Sequence, residues 1–204
     1  MSNENSPKST RRYRKRRRAE LEEQTKLRIT EAAVDLHGSV GPAKTTISAV
    51  ADRAGVQRAT VYRHFPDEEA LFDACSSHWA AQHPLPDLDA WVAIEDPDQR
   101  LRTALAELFS WYAAGEYMLS KTTRDAALVP AMRRPVEQMQ AWFEAAIAVL
   151  VKGRGERGAR RRRVRAAIGH AVSFDAWRSL AQRQGLSQRE AVSLMVGLVA
   201  AAAD

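Results

Sequence analysis

The chain has 204 residues, 45 % of them hydrophobic, and a formal net charge of +6. That length allows one large helical domain or a small head on a larger body, and the apolar content is enough for a buried core, which argues against disorder of the whole. The single cysteine, Cys75, excludes an intramolecular disulfide and a cysteine-built zinc site.

The charge belongs to one end. Eight basic residues and one acid fall in the first 18 positions, so the remaining 186 carry a formal charge of −1. Arg11, Arg12, Arg14, Lys15, Arg16, Arg17 and Arg18 have only Tyr13 among them, and the stretch lacks periodicity, which predicts a flexible basic arm over 1–18. No apolar segment follows it, so it does not read as a secretory signal. The longest apolar stretch, Val192 to Ala203, is interrupted by Ser193 and Gly197 and is too short for a bilayer core of roughly 30 Å. A cytoplasmic protein with no membrane segment is expected.

Abundant Ala, Arg, Leu and Glu, with few Val-Ile-Thr alternations, predict an all-α fold. From Ala19 an apolar stripe of Leu21, Ile29, Ala32, Ala33, Leu36 and Val40 predicts a first helix ending near Gly41-Pro42. Two short helices follow. Thr45 or Thr46 caps the first, whose apolar face is Ile47, Val50, Ala51 and Ala54; Gly55 supplies the turn, and the second runs from Gln57 to Phe65. Pro66 stops it, and Asp67 caps the next helix. Pro84-Leu85-Pro86 breaks the pattern, a loop is expected as far as Asp96, and a domain boundary is placed near here. Asp96-Pro97-Asp98-Gln99 and Ser187-Gln188-Arg189-Glu190 read as capping boxes. Further helices are predicted over 97–114, 117–128, 134–152, 160–184 and 188–203.

The stretch from Thr45 to Phe65 is a helix-turn-helix by its chemistry. Ala51 and Ala54 let the helices approach, and Val56, Val61 and Phe65 bury the second against the first. What stays exposed on the second helix is Gln57, Arg58, Thr60, Tyr62, Arg63 and His64, mostly hydrogen-bond donors, as a major-groove reader needs. With its threonine pair, Ala54-Gly55-Val56, and Tyr62-Arg63-His64-Phe65, the stretch resembles the head of the TetR (tetracycline-repressor-like) family of transcriptional regulators. The resemblance covers roughly residues 27–75, from the helix of Ile29 to Gly41 to the start Phe65-Pro66-Asp67 of a fourth helix.

The resemblance implies that Lys44, Thr45, Thr46, Tyr62 and His64 hold phosphates, while Gln57, Arg58, Thr60 and Arg63 face bases or adjacent backbone. The family often has serine where Gln57 stands, glycine where Ala59 stands and phenylalanine where His37 stands, which leaves the operator sequence unread. The basic arm is expected to lie along DNA beside the recognition helix, with the minor groove as one place for it. The expected organisation is therefore the arm over 1–18, a three-helix head with the start of a fourth over 19–83, and a helical effector-binding and dimerisation domain over 84–204.

In the body, the helix from Arg160 and the last helix are apolar over more than one face and so want a partner. The resemblance implies that these two pair with their copies in a homodimer, which predicts a palindromic operator of double-stranded DNA. Trp111, Tyr112, Met139, Trp142, Phe143, His170, Phe174 and Trp177 read as plain core or, on the family pattern, as the lining of a pocket for an unidentified, largely apolar or aromatic effector. His170, Phe174 and Trp177 would share one helical face, with the imidazole as polar handle. The basic run Lys152, Arg154, Arg157, Arg160, Arg161, Arg162, Arg163 and Arg165 reads as a solvated loop, with contact to acids or to DNA as alternatives.

His37, His78 and His83 show no metal-ligand spacing, Cys75 reads as a small buried hydrophobe, and no paired carboxylates, nucleophile grouping or phosphate loop is present. No cofactor, metal or enzymatic activity is expected. The expected function is a repressor released from its operator by a small ligand; a DNA-binding regulator or architectural protein without an effector, or an activator, stays open.

Overall fold

Helix formers dominate the sequence, and proline or glycine follows the end of half of the helices that result. The computed structural model describes the backbone of residues 7–204 and side chains from residue 11 on, with no strand among them. The first six residues of the expected arm lie outside the described residues. The α-helices are α1 (Pro7–Ser39), α2 (Ile47–Ala54), α3 (Arg58–His64), α4 (Glu68–Gln82), α5 (Leu88–Val92), α6 (Pro97–Asp125), α7 (Arg133–Val151), α8 (Gly158–Ala171), α9 (Phe174–Arg178) and α10 (Gln188–Ala201). This is the all-α class expected, with a helix-turn-helix unit followed by a helical one.

Two compact units emerge. Among the described residues, one contains those up to Trp79 and again Lys121–Met132; the other contains Ala80–Ser120 and Arg133–Asp204. The core of the first joins Ile29, Ala32, Ala33 and Leu36 of α1 to Val50, Ala51 and Ala54 of α2, Val61 of α3, and Leu71 and Cys75 of α4. Leu21 and Val40, expected in the same stripe, are 56 % and 42 % exposed. The head is shallow: α1 is exposed at almost every position from Arg11 to Arg28, and burial begins only at Ile29.

Four expectations change. The arm expected to be flexible is helical from Pro7 onward, continuous with α1. Arg and Lys are good helix formers, and Arg16 pairs with Glu20 at 2.8 Å and Arg18 with Glu22 at 3.0 Å, each one turn away. The loop expected after Pro86 contains α5, capped by Asp87 and buried through Trp91, whose Nε1 donates to Glu107 Oε2 at 2.7 Å. The two helices expected over 97–114 and 117–128 are one, because Gly115 is the lone weak helix former between them and Trp111, Tyr112 and Met118 are buried on either side. The helix expected over 160–184 is broken instead. Ser173 accepts the Ala176 N–H at 3.2 Å and caps α9, after which Ser179–Arg183 form a π-helical turn.

The second unit is organised around a buried cation. Arg100, 5 % exposed, donates from Nε to the carbonyls of Trp91 (3.1 Å) and Ile94 (2.9 Å), and from Nη1 to those of Lys152 (2.6 Å) and Val149 (3.3 Å). Its partners are carbonyls in the last turns of α5 and α7 (Trp91, Val149) and just past them (Ile94, Lys152), where helix dipoles favour a positive charge. Arg154 acts alongside, with Nη2 on Asp98 at 2.9 Å and on the Pro97 carbonyl at 3.0 Å. The basic run expected to be a solvated loop is thus partly built in, and Arg165 pairs with Glu144 at 2.6 Å. Replacing Arg100 by methionine keeps the stem but strands several buried carbonyls. Urea unfolding should then show a stability loss of about 3 kcal/mol or more, and a loss under about 1 kcal/mol would refute the clamp.

Candidate nucleic-acid interface

The geometry of the interface starts from three local decisions. Thr46 leaves the helical conformation and accepts the Ala49 N–H at 3.1 Å, so of the two candidate threonines it is Thr46 that caps α2. Gly55 takes a left-handed conformation, φ 65° and ψ 40°, which ends α2 and turns the chain at once into α3. Asp67 accepts the Ala70 N–H at 2.7 Å and starts α4.

Between these points α3 has only seven residues. Val61 is fully buried and Phe65, just past its end, is 3 % exposed. Two anchors on so short a helix settle which way the rest face. Gln57, Arg58, Ala59, Tyr62 and Arg63 are exposed, and Thr60 and His64 are half-buried. His64 differs from expectation in one respect: its Nε2 is shut away from solvent and has no hydrogen-bond partner among the described residues. Lys26 of α1 lies 5.9 Å above the Phe65 ring.

Upstream of α2, Lys44 and Thr46 are exposed, whereas Thr45 is half-buried with its hydroxyl donating to the Gly41 carbonyl at 2.9 Å. Arg11, Arg12, Arg14, Lys15, Arg16, Arg17 and Arg18 are all exposed on the first turns of α1. One neighbour of this surface lay beyond sequence reasoning. Asp125, 82 positions away, accepts the Ala43 N–H at 3.0 Å, and no local signal links the two.

Residues 29–75 match the family described as bacterial regulatory proteins, tetR family. The chain carries a tetR-family head. No curated protein matches the chain by sequence. Solved structures resemble it in fold. A Clostridium perfringens protein named as a putative regulator of fatty acid metabolism is 14 % identical, with a TM-score of 0.63 over 85 % of this chain and 97 % of that one. A TetR-like transcriptional regulator from Rhodococcus sp. RHA1 is 16 % identical, with a TM-score of 0.60 over 86 % and 93 %. The Bacillus halodurans fatty acid degradation regulator is 16 % identical, with a TM-score of 0.58 over 86 % and 94 %. At such identities the likeness is one of fold.

In the second unit, the residues singled out as core or pocket fall into separate groups. Tyr112 meets Trp111 at 5.5 Å, Phe174 at 5.4 Å and Trp177 at 5.8 Å between ring centroids. Trp142 instead meets Phe143 at 5.1 Å and Trp91 at 5.9 Å. His170 is exposed, and the break before α9 separates it from the helix of Phe174 and Trp177, so the single face expected for the three does not form. Two polar atoms of the first group are already engaged. Trp111 Nε1 donates to the His83 carbonyl at 3.0 Å, and the Tyr112 hydroxyl, its pKa pushed up by burial, donates to the Val172 carbonyl. Met139, Trp142, Phe143 and Phe174 are half-buried. Among the described residues no three His, Cys, Asp or Glu side chains are grouped to hold a metal, and no helix is long and apolar enough to cross a membrane.

Two buried groups of the head are chemically quiet. Cys75 has its thiol pushed up to about 12 by burial and points at the Thr30 carbonyl, 3.8 Å away. His37, 5 % exposed, is stacked on Phe72 with ring centroids 4.6 Å apart and 14° between planes. It therefore fills an aromatic place, and burial lowers its pKa from 6.5 to about 4. Between those two values the unfolded chain binds a proton that the folded chain refuses. The contribution of this site is whole above pH 6.5 and falls as the pH drops toward 4, by about 1.4 kcal/mol per unit and roughly 3 kcal/mol in all. His37→Phe should keep the stack and abolish this term, so urea midpoints at pH 7 and pH 4.5 should differ less in the variant. An equal fall in both proteins would refute it.

Proposed function

We propose that the chain is a sequence-specific DNA-binding transcriptional regulator, a dimeric repressor that leaves a palindromic operator when a small, largely apolar or aromatic molecule binds its second unit. The observation that carries this reading is the outward face of α3, where Gln57, Arg58, Tyr62 and Arg63 are exposed on a helix held by Val61 and Phe65. A helix about 10–12 Å across fits the major groove of B-DNA, and arginine is the side chain best shaped to read guanine there. Gln57, Arg58, Thr60 and Arg63 take the base-facing roles. Lys44, Thr45, Thr46, Tyr62 and His64 take the phosphate side, with Thr45 and His64 contributing mainly by position because they are half-buried.

The basic turns of α1 form a second contact. While helical they are too wide for a minor groove of roughly 6 Å, so phosphates are their target in that form. Dimerisation through α8 and α10 is favoured by Leu194 and Leu198, 44 % and 50 % exposed on α10, beside Gly197 and Ala201, which would let a partner helix approach closely. Two heads so joined would read half-sites about 34 Å apart. The effector would lie against the half-buried Met139, Trp142 and Phe143 of α7 and Phe174 of α9. It would act by binding the DNA-free form of the dimer more tightly than the bound one.

Selection of bound fragments from genomic DNA by the full chain should recover one recurring sequence. Arg58→Ala and Arg63→Ala should each weaken binding to it by about 1–3 kcal/mol and relax the choice of base at one position. Recovery of random fragments alone would refute a specific operator. Deleting residues 1–18 should flatten the dependence of log affinity on log salt by about one unit for each phosphate that the arm neutralises, whereas an unchanged slope would remove the arm from the interface.

A further inference from the structure

The turn between α1 and α2 is anchored from outside residues 29–75. Asp125, the last residue of α6, is 2 % exposed although it is a carboxylate. A negative charge is unfavourable at a helix C-terminus and unfavourable when buried, so it needs compensation. Three hydrogen bonds supply it. Arg124 donates from Nε to Oδ1 at 2.7 Å and from Nη2 to Oδ2 at 2.9 Å, and the Ala43 N–H donates to Oδ2 at 3.0 Å. Arg124 foremost, then the Ala43 amide and the charge of Lys44, hold the carboxyl below its ordinary range. The Arg124 Nη2 reaches the Val40 carbonyl as well, at 3.2 Å.

Gly41 is where the turn meets this pair. Its φ of +98° suits glycine, and a Cβ there would collide with the Arg124 guanidinium and the Asp125 carboxylate. From this point the chain makes a tight 3-10 turn, Pro42–Lys44, with the Thr45 N–H on the Pro42 carbonyl at 3.0 Å, and passes directly to the Thr46 cap of α2. Lys44, Thr45 and Thr46 are the three consecutive residues assigned above to phosphates, and they follow immediately on the residue that Asp125 holds.

We propose that Asp125 is a positioning residue for DNA binding: its carboxylate, oriented by Arg124, fixes the Gly41–Lys44 turn so that Lys44 and Thr46 meet the phosphates in register with α3. This rests on the DNA-binding reading and adds to it a residue from the far end of α6.

The test is binding of the full chain to a duplex recovered from genomic DNA, followed by fluorescence anisotropy over a salt series, with circular dichroism checking that each variant is folded at the assay temperature. Asp125→Ala should bind about tenfold more weakly and lower the salt slope by about one unit, as Lys44→Ala should, and should add little when combined with Lys44→Ala. Asp125→Asn keeps an acceptor for the Ala43 amide and should retain part of the affinity. If Asp125→Ala fails to fold, the Asp125→Asn and Lys44→Ala cycle serves instead, with coupling of the same sign and smaller size expected. Folded Asp125 variants with wild-type affinity and slope, or with effects that simply add to those of Lys44→Ala, overturn the proposal. If the wild-type chain selects a duplex and Arg58→Ala with Arg63→Ala fails to bind it while the Asp125 variants still do, only this inference falls. A wild-type chain that selects no duplex overturns the DNA-binding reading and this one together.

Discussion

How closely three short stretches of helix can approach one another governs the head. Ala51 is 1 % and Ala54 7 % exposed, and with only methyl groups between them α2 can lie tightly on α1 while Gly55 turns the chain without a side chain in the way. That approach brings Val61 to full burial, and Val61 with Phe65 then orients the seven residues of α3. The exposure of Arg58 and Arg63 follows from packing on the opposite side. A larger side chain at Ala51 would overpack the helix pair and tilt α3, and so would re-aim both arginines without touching either one.

Much of this is legible in the sequence because it is local. The caps at Thr46, Asp67, Asp96 and Ser187 are each formed by a side chain and an amide three residues on, and the Ser187–Glu190 box closes in both directions. Periodicity likewise finds Ile29, Ala32, Ala33 and Leu36, which are buried. What is not legible depends on competition or distance. Whether a polybasic stretch is helical depends on the acids one turn ahead, and Glu20 and Glu22 lie just past the segment that reads as an arm. Gly115 suggests a break that burial on both sides overrides, while Ser173, inconspicuous inside an apolar pattern, makes a real one. That break puts His170 outside the aromatic group, a displacement that helical spacing cannot foresee.

The arginines show why net charge says little about where a polyanion binds. Arg100 and Arg154 are buried on carbonyls and on Asp98, so these two cations are compensated inside the second unit, while Arg165 meets Glu144 at its surface. Arg16 and Arg18 also have acidic partners, but they remain exposed, and such pairs are weak in water and easily exchanged for phosphate. The two kinds differ in what removing a side chain costs. Without an internal arginine, buried carbonyls have no donor and the fold is destabilised. Without one on the first turns of α1, the only change is in a field that salt screens within about 10 Å.

The extent of the head follows from the same accounting of hydrogen-bond partners. Matched by sequence, it ends at residue 75; expected from the break at Pro84, it ends at 83; divided by packing, it includes Lys121–Met132. The third boundary rests on hydrogen bonds between residues distant in the chain, which the other two do not use. Without Asp125, the Ala43 amide would have no acceptor from the protein, and without Arg124 the Val40 carbonyl would have one donor fewer. Gly41, in a conformation that glycine tolerates, would face an empty space where two side chains now fit closely. Residues 19–83 therefore carry the helices of a DNA-binding head but not the side chains that close the turn between the first two. The function is written in a segment of the chain, while the geometry that function requires is completed by a helix that begins at Pro97.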